Sequence, residues 1–223
     1  KEFHGVPILL KDNIDSIGIA NTAGSLAFKN NLPKNDAPLV SKLKDSGFII
    51  LGKANLSEWA NFRGNPSTSG WTSINGQTNN PFNLKYNPCG SSSGSAAAIA
   101  QGLVPVSIGT ETNGSITCPA SVNGVVGIKP TVGLVSRTGV IPISETQDTA
   151  GPMAKNVMDA AKVLKAIAGR DPLDSYTAKI PQDYDYEELT DLDSSYLKGK
   201  RVGVLNSSES SEIEKGLIQK VKK

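Results

Sequence analysis

Residues 94–115, GSAAAIAQGLVPVSIGTETNGS, contain in order a predicted helix, a predicted strand and the loop that follows the strand. Alanines at 96–98 and at 100 favour a helix between Gly94 and Gly102, because alanine has the highest helix propensity. The apolar run at 104–108 predicts a buried strand. A helix that leads directly into a buried strand indicates an α/β protein.

The rest of the chain alternates strand patterns with amphipathic helix patterns. The apolar run at 6–10 predicts a buried strand, and Leu39, Val40 and Leu43 share one face of a helix that Gly47 ends. This alternation favours an α/β fold in which a mixed central sheet is covered by helices on both sides. The other predicted elements are strands at 48–51 and 201–205, a short helix starting at Asn55 and Ser57, helices at 154–168 and 212–223, and loops at 63–86 and 126–152.

The composition argues against several functional classes. Lysine and arginine number 23 against 21 aspartates and glutamates, and no charged tract indicates a nucleic-acid partner. No apolar run approaches the ~20 residues of a membrane helix. The two cysteines and single histidine lack metal-ligand spacing, so no metal or cofactor is expected. We expect a soluble protein, with the cytoplasm favoured; the start at Lys1 leaves open a preceding targeting signal, and the oligomeric state stays open.

Two clusters rich in glycine and serine are candidate functional loops: CGSSSGS at 89–95, before a helix, and GTETNGS at 109–115, after a strand. Such a septet is commonly a flexible linker or a phosphate-binding turn. The first cluster, however, runs into an alanine-rich helix without a polar spacer. It also lacks the lysine that a nucleoside-triphosphate loop places before its Ser or Thr.

A catalytic serine needs a base, and histidine does not supply one here. His4 is the single histidine, and no neighbouring residues complete a Ser-His-Asp set around it. Lys11, at the end of the first predicted strand, is a substitute if burial lowers its pKa. Strand-end lysines more commonly reach solvent or pair with a carboxylate such as Asp12 or Asp15. Both interpretations of Lys11 stay open from the residues alone.

Several segments taken together resemble the amidase signature family. They are GVPILLKDN at 5–13, GKANLSEW at 52–59, GSSSGS at 90–95, GTETNGS at 109–115, Pro119-Ala120, GVVGIKPT at 124–131 and QDTAGP at 147–152. The resemblance covers nearly all of residues 3–170, and the set of motifs is highly specific. Residues 55–64 and 87–95 look most similar to bacterial peptide amidases, which deamidate C-terminal peptide amides.

The resemblance implies the amidase signature fold and an amidase that acts on linear amides. Residues 1–223 would then form the N-terminal part of a single domain that continues beyond Lys223, with the catalytic motifs in residues 1–170. It further implies Ser115 as nucleophile, Ser91 as a bridging group after a cis peptide bond, and uncharged Lys11 as base. The implied oxyanion-binding groups are the backbone N–H groups of Thr112, Asn113, Gly114 and Ser115.

The sequence departs from the wider family at two positions that bear on the substrate. Asn113 and Thr117 stand where many members have Gly and Arg. Losing that arginine argues against substrates with a free carboxylate, as in the glutamine-dependent tRNA amidotransferase subunit. We expect a peptide amide or another small carboxylic acid amide, with acylamides of aryl amines or fatty acids as the alternative. A non-catalytic or partner-dependent amidotransferase-like subunit is the rival hypothesis.

The remaining candidates have structural and functional interpretations. Cys89 and Cys118 flank the two serine loops, so a disulfide between them is a hypothesis beside two buried thiols. Four residues of the long loop before Ser91 either line the substrate cleft or only pack that loop. They are Glu58, Trp59, Arg63 and Trp71.

Overall fold

A mixed β-sheet forms the centre of the protein. The computed structural model describes residues 1–62, 64, 67–201, 203 and 219–220. The strands are β1 (Pro7–Lys11), β2 (Ile49–Ala54), β3 (Trp71–Thr72), β4 (Gly76–Gln77), β5 (Val106–Glu111), β6 (Val126–Gly127) and β7 (Thr149–Ala154). The main sheet has the order β2-β1-β5-β7-β6; β1 is parallel to β2 and β5, and β7 is antiparallel to β5 and β6. Strands β3 and β4 form a separate antiparallel pair.

Helices cover both faces of the main sheet, as predicted. They are α1 (Pro38–Ser46), α2 (Ser93–Gln101), α3 (Thr117–Val122) and α4 (Val157–Ile167). Side chains alternate across a strand, so Ile8 and Leu10 of β1 belong to the core that includes α1 and α4. Leu9 packs instead against the core that includes α2 and α3. The predicted mixed sheet between helical layers is therefore confirmed.

Strand β7 was not predicted, because residues 126–152 have the composition of a loop. Its sequence TAGPMA contains glycine and proline and lacks β-branched apolar residues. All six residues are nevertheless buried, and the strand pairs with β5 from Glu111↔Thr149 to Val106↔Ala154. A Cβ at Gly151 would lie 2.1 Å from the carbonyl oxygen of Ile128, so this close approach requires glycine. Tertiary packing overrides local propensity here.

Other elements lie near their predicted positions. Helix α1 has Pro38 in its first turn and ends at Gly47, whose φ of 107° is left-handed. The short helix after Asn55 is a 3-10 helix, Glu58–Asn61, and α3 was not predicted. Three further 3-10 helices occupy the predicted irregular region at 171–195: Ser175–Lys179, Tyr186–Thr190 and Ser194–Leu197. The predicted strand at 201–205 and helix at 212–223 fall mainly outside the described residues.

The chain divides into two units, Lys1–Asp191 and Leu192–Lys223. The first contains the sheet, the four helices and every predicted site residue. In the described part of the second, the ammonium group of Lys200 lies 5.0 Å from the ring centroid of Tyr196. No helix among the described residues has the length and apolar character needed to cross a bilayer.

Candidate active site

Lys11 is the last residue of β1, and its side chain has no exposed surface. Its Nζ lies 2.7 Å from Ser91 Oγ and donates hydrogen bonds to Thr110 O at 3.1 Å and to Thr110 Oγ1 at 2.9 Å. The strand pairing explains the contact with Thr110, because β1 and β5 are parallel neighbours. The sequence left an ion pair with Asp12 or Asp15 open for Lys11. Asp12 instead lies 3.4 Å from the ammonium group of Lys53.

Burial lowers the pKa of Lys11 from its ordinary value of 10.5 to about 7. The negative charges of Glu111 and Asp148 act in the opposite direction and raise it, but they do not outweigh desolvation. A pKa near 7 leaves a large fraction of the amine uncharged at neutral pH. An uncharged amine that donates two hydrogen bonds to Thr110 retains one lone pair, which can accept a proton from Ser91.

Ser91 lies two residues before the first residue of α2 and is fully buried. The Gly90–Ser91 peptide bond is cis, as the resemblance implies. The carbonyl oxygen of Ser91 accepts a hydrogen bond from Ser57 N at 3.0 Å, and Ser92 N donates to Ser115 O at 3.1 Å. These backbone bonds bring the two serine loops and the 52–59 segment together, although they are distant in sequence.

Ser115 follows β5 and is partly exposed, in contrast to Ser91 and Lys11. Both serines line one cavity, which also includes Thr112, Arg137 and Asp148 in its wall. An accessible hydroxyl beside a buried hydroxyl and a buried amine is the arrangement that a relayed serine nucleophile needs.

The predicted oxyanion segment, Thr112 to Ser115, forms the turn between β5 and α3. Gly114 has a φ of 79°, a conformation that glycine adopts without steric strain. The carboxylate of Glu111 accepts hydrogen bonds from Ile116 N at 2.7 Å and Thr117 N at 2.9 Å. Burial raises the pKa of Glu111, but the N–H groups of Thr117, Ile116 and Gly114 outweigh it and lower the pKa overall. The Gly114 N–H therefore already interacts with a carboxylate.

Cys89 and Cys118 form a disulfide bond. The bond joins the residue before Gly90 to the second residue of α3. It therefore links the loop that carries Ser91 to the helix that follows Ser115. Of the two possibilities that the sequence left open, the structure contains the bonded form.

Sequence analysis gave no role to two residues that line the same site. Thr110 holds the Lys11 amine through its carbonyl and hydroxyl oxygens, and its hydroxyl also accepts a bond from Asn13 Nδ2 at 2.9 Å. Asn13 is buried, lines the cavity, and its Oδ1 has no hydrogen-bond partner among the described residues. Both residues lie inside the motifs quoted above. The position of Asn13, two residues after Lys11, could have indicated that it lies near the site.

The loop residues considered as cleft-lining differ in position. Trp59 lines a second cavity, which shares Asn13 and Ala60 with the first. The Trp59 ring meets the Phe28 ring edge-on, with 5.0 Å between the ring centroids. Glu58 accepts a hydrogen bond from Ser73 N at 2.8 Å, and Trp71 is half exposed in β3. Arg63 lies outside the described residues. No group of three or more potential metal ligands (His, Cys, Asp or Glu) occurs in the described ranges.

The chain is similar in sequence to known amidases and to an amidotransferase subunit. The family model described as Amidase matches residues 1–223. A probable amidase of Arabidopsis thaliana is 50% identical over 212 residues, which are 93% of this chain and 41% of that protein. A glutamyl-tRNA(Gln) amidotransferase subunit of Caldanaerobacter subterraneus subsp. tengcongensis is 42% identical over 223 residues, covering 100% of this chain and 44% of that protein.

A solved structure is similar over almost the whole chain. It is a peptide amidase in complex with the competitive inhibitor chymostatin, with a TM-score of 0.93 and 54% identity. The match covers 99% of this chain and 45% of that one. The chain thus spans less than half the length of these relatives.

Proposed function

The chain belongs to the amidase family, and from that premise we propose that it hydrolyses carbon–nitrogen amide bonds through Ser115, Ser91 and Lys11. Ser115 is the nucleophile, Ser91 relays the proton and Lys11 is the base. The observation that carries this proposal is the 2.7 Å contact between Lys11 Nζ and Ser91 Oγ, both fully buried. The lowered Lys11 pKa, about 7, supports the role of base.

In the acylation step Ser115 Oγ attacks the carbonyl carbon of the amide. The Ser115 proton passes to Ser91 Oγ, and the Ser91 proton passes to Lys11 Nζ. The carbonyl oxygen becomes an oxyanion, which backbone N–H groups of residues 112–115, other than the Gly114 N–H that interacts with Glu111, stabilise. The tetrahedral adduct then breaks its C–N bond, the leaving nitrogen receives a proton back through the relay, and ammonia or an amine departs.

Deacylation repeats the relay with water as the nucleophile. Water attacks the ester carbon on Ser115 and gives its proton through Ser91 to Lys11. Collapse of the second adduct returns that proton to Ser115 Oγ and releases the carboxylic acid. Every proton transfer in the cycle uses a side chain of the site.

Peptide amides and other small carboxylic acid amides are the proposed substrates. The inhibitor-bound peptide amidase that this chain resembles over 99% of its length supports this choice. The cavity that Ser91 and Ser115 line borders a second cavity walled by Trp59, Phe62 and Ile141, whose mainly apolar lining is compatible with an apolar part of the substrate.

Trapping of the nucleophile tests the proposed mechanism. The full-length protein is incubated with a serine-reactive fluorophosphonate, and the adduct is mapped by mass spectrometry. Labelling of Ser115, abolished in Ser115→Ala and much slower in Lys11→Ala, supports the mechanism. Circular dichroism of each variant controls for folding, and absence of labelling in folded wild type would reject it.

A partner-dependent amidotransferase-like subunit is the second candidate, because a glutamyl-tRNA(Gln) amidotransferase subunit is 42% identical over the chain. Thr117 in place of the family's arginine argues for a neutral amide rather than a free amino acid. Ammonia release from peptide amides by the purified protein alone favours the hydrolase. Turnover that requires a copurifying partner protein favours the second candidate.

A further inference from the structure

Asp148 connects two parts of the cavity wall, although the mechanism above gives it no role. Its Oδ1 accepts a hydrogen bond from Thr112 Oγ1 at 2.5 Å. Its Oδ2 accepts bonds from the backbone N–H groups of Ile143 at 2.7 Å and Ser144 at 2.9 Å. One carboxylate therefore holds the first residue of the predicted oxyanion segment and the turn at 143–144.

The sheet explains why these residues meet. Glu111 and Thr149 are the final pair of the ladder between β5 and β7. Thr112 and Asp148 are the next residues outward on these two strands, so the ladder brings them side by side. The contact is thus anchored to the end of the sheet.

We propose that Asp148 is a positioning residue, which holds residues 112–115 against the 143–144 turn so that the backbone N–H groups of this segment, other than that of Gly114, face the substrate carbonyl. Oxyanion stabilisation depends on donors that are already oriented before the reaction, so a loosened segment loses transition-state stabilisation. A carboxylate suits this task because its charged hydrogen bonds are stronger than neutral ones. The inference rests on the proposed amidase function.

Asp148 also affects the base electrostatically. Its negative charge raises the pKa of Lys11, as does the charge of Glu111. Removing the Asp148 charge is therefore expected to lower the Lys11 pKa further. The other charged groups nearby are Arg137, which interacts with Asp148, and the paired Asp12 and Lys53.

Thr112→Val removes the hydroxyl that contacts Asp148 while preserving the shape of the side chain. Thr112→Ser, a separate variant, keeps a hydroxyl at this position. With a peptide amide as substrate, Thr112→Val is expected to lower kcat by more than about fivefold while KM changes little, because the lost interaction acts in the transition state. Thr112→Ser is expected to stay within about twofold of wild type. The control is Thr131→Val, at an exposed threonine that does not line the cavity. A smaller loss in folded Thr112→Val would overturn the proposal.

Asp148→Asn provides a second measurement that a purely structural effect would not reproduce. The acid limb of kcat/KM against pH is expected to move to lower pH. The negative charge of Asp148 stabilises the protonated Lys11 amine, so its removal lowers the Lys11 pKa. Thr112→Val keeps the negative charges of Asp148 and Glu111, so the acid limb is expected to stay in place. Asp183→Asn, an exposed carboxylate, is the matched control. An unmoved limb in Asp148→Asn would contradict the electrostatic part of the inference.

The experiments distinguish failure of the proposed amidase function from failure of the positioning role of Asp148. If folded full-length wild type neither hydrolyses amides nor labels at Ser115, the proposed function fails. If wild type is active and Thr112→Val retains its kcat, only the positioning role of Asp148 fails.

Discussion

Lys11 Nζ lies 2.7 Å from Ser91 Oγ, and neither residue has exposed surface. The β1 strand carries Lys11 into the interior, while the loop before α2 carries Ser91 to the same point. A buried amine that contacts neutral hydroxyl and carbonyl oxygens binds its proton weakly, because burial disfavours the charged form. The following predictions depend on that relationship and on the packing around it.

The activity is expected to rise with pH through about 7. Lys11 must be uncharged to accept a proton, and its pKa is lowered to about 7 by burial. Below that pH the amine is protonated and the relay lacks a base. The measurement is kcat/KM for a peptide amide from pH 5 to 11. An acid limb near pH 10, the ordinary range of lysine, would contradict the assignment.

Stability should also depend on pH through Lys11. The folded protein releases the Lys11 proton near pH 7, whereas the unfolded chain keeps it to about 10.5. Between these values the unfolded chain binds more protons, so the free energy of unfolding rises with pH. Lys11→Met lacks this contribution. Wild type is therefore expected to gain stability relative to Lys11→Met between pH 7 and 10, with no relative change below pH 6, as measured by urea unfolding.

Reduction of the Cys89–Cys118 bond is expected to destabilise the protein and slow turnover. The two cysteines are separated by 29 positions, and closing such a loop stabilises by about 3–4 kcal/mol in the chain-entropy model. The bond also links the loops of Ser91 and Ser115, so their alignment depends on it. Cys89→Ala with Cys118→Ala measures both effects through urea unfolding and kcat.

A thiol count checks the bond itself. No free thiol is expected in denaturant without reductant, and two titratable thiols would show that the bond is absent.

Gly151→Ala is expected to destabilise the sheet by about 1–3 kcal/mol, a range typical of overpacking. A Cβ at this position would lie 2.1 Å from the backbone oxygen of Ile128, which cannot move without shifting a neighbouring segment. Gly203→Ala is the control, since no described residue lies within 4 Å of a Cβ there. Urea unfolding of both variants gives the comparison, and equal stability would contradict the observed packing.

Periodicity predicted the elements whose own residues carry the information. The apolar run before Lys11 predicted β1, and the leucines and valine before Gly47 predicted α1. Strand β7 was missed because TAGPMA has no strand periodicity, and its burial between β5 and β6 comes from partners remote in sequence. Similarly, Asp148 was part of a recognised motif, but its contact with Thr112 exists only once β5 and β7 are paired.

The sequence by itself determined the α/β class, through its alternating strand and helix patterns, and its motifs carried the resemblance to the amidase signature family. That resemblance, rather than the spacing of the residues, implies the three candidate catalytic residues. Only the tertiary structure decided the burial of Lys11, its hydrogen bonds to Thr110 and the pairing of Cys89 with Cys118. The pKa of an amine and the contacts of a carboxylate depend on distances across the sheet, and those distances arise from the packing of segments that are remote in sequence.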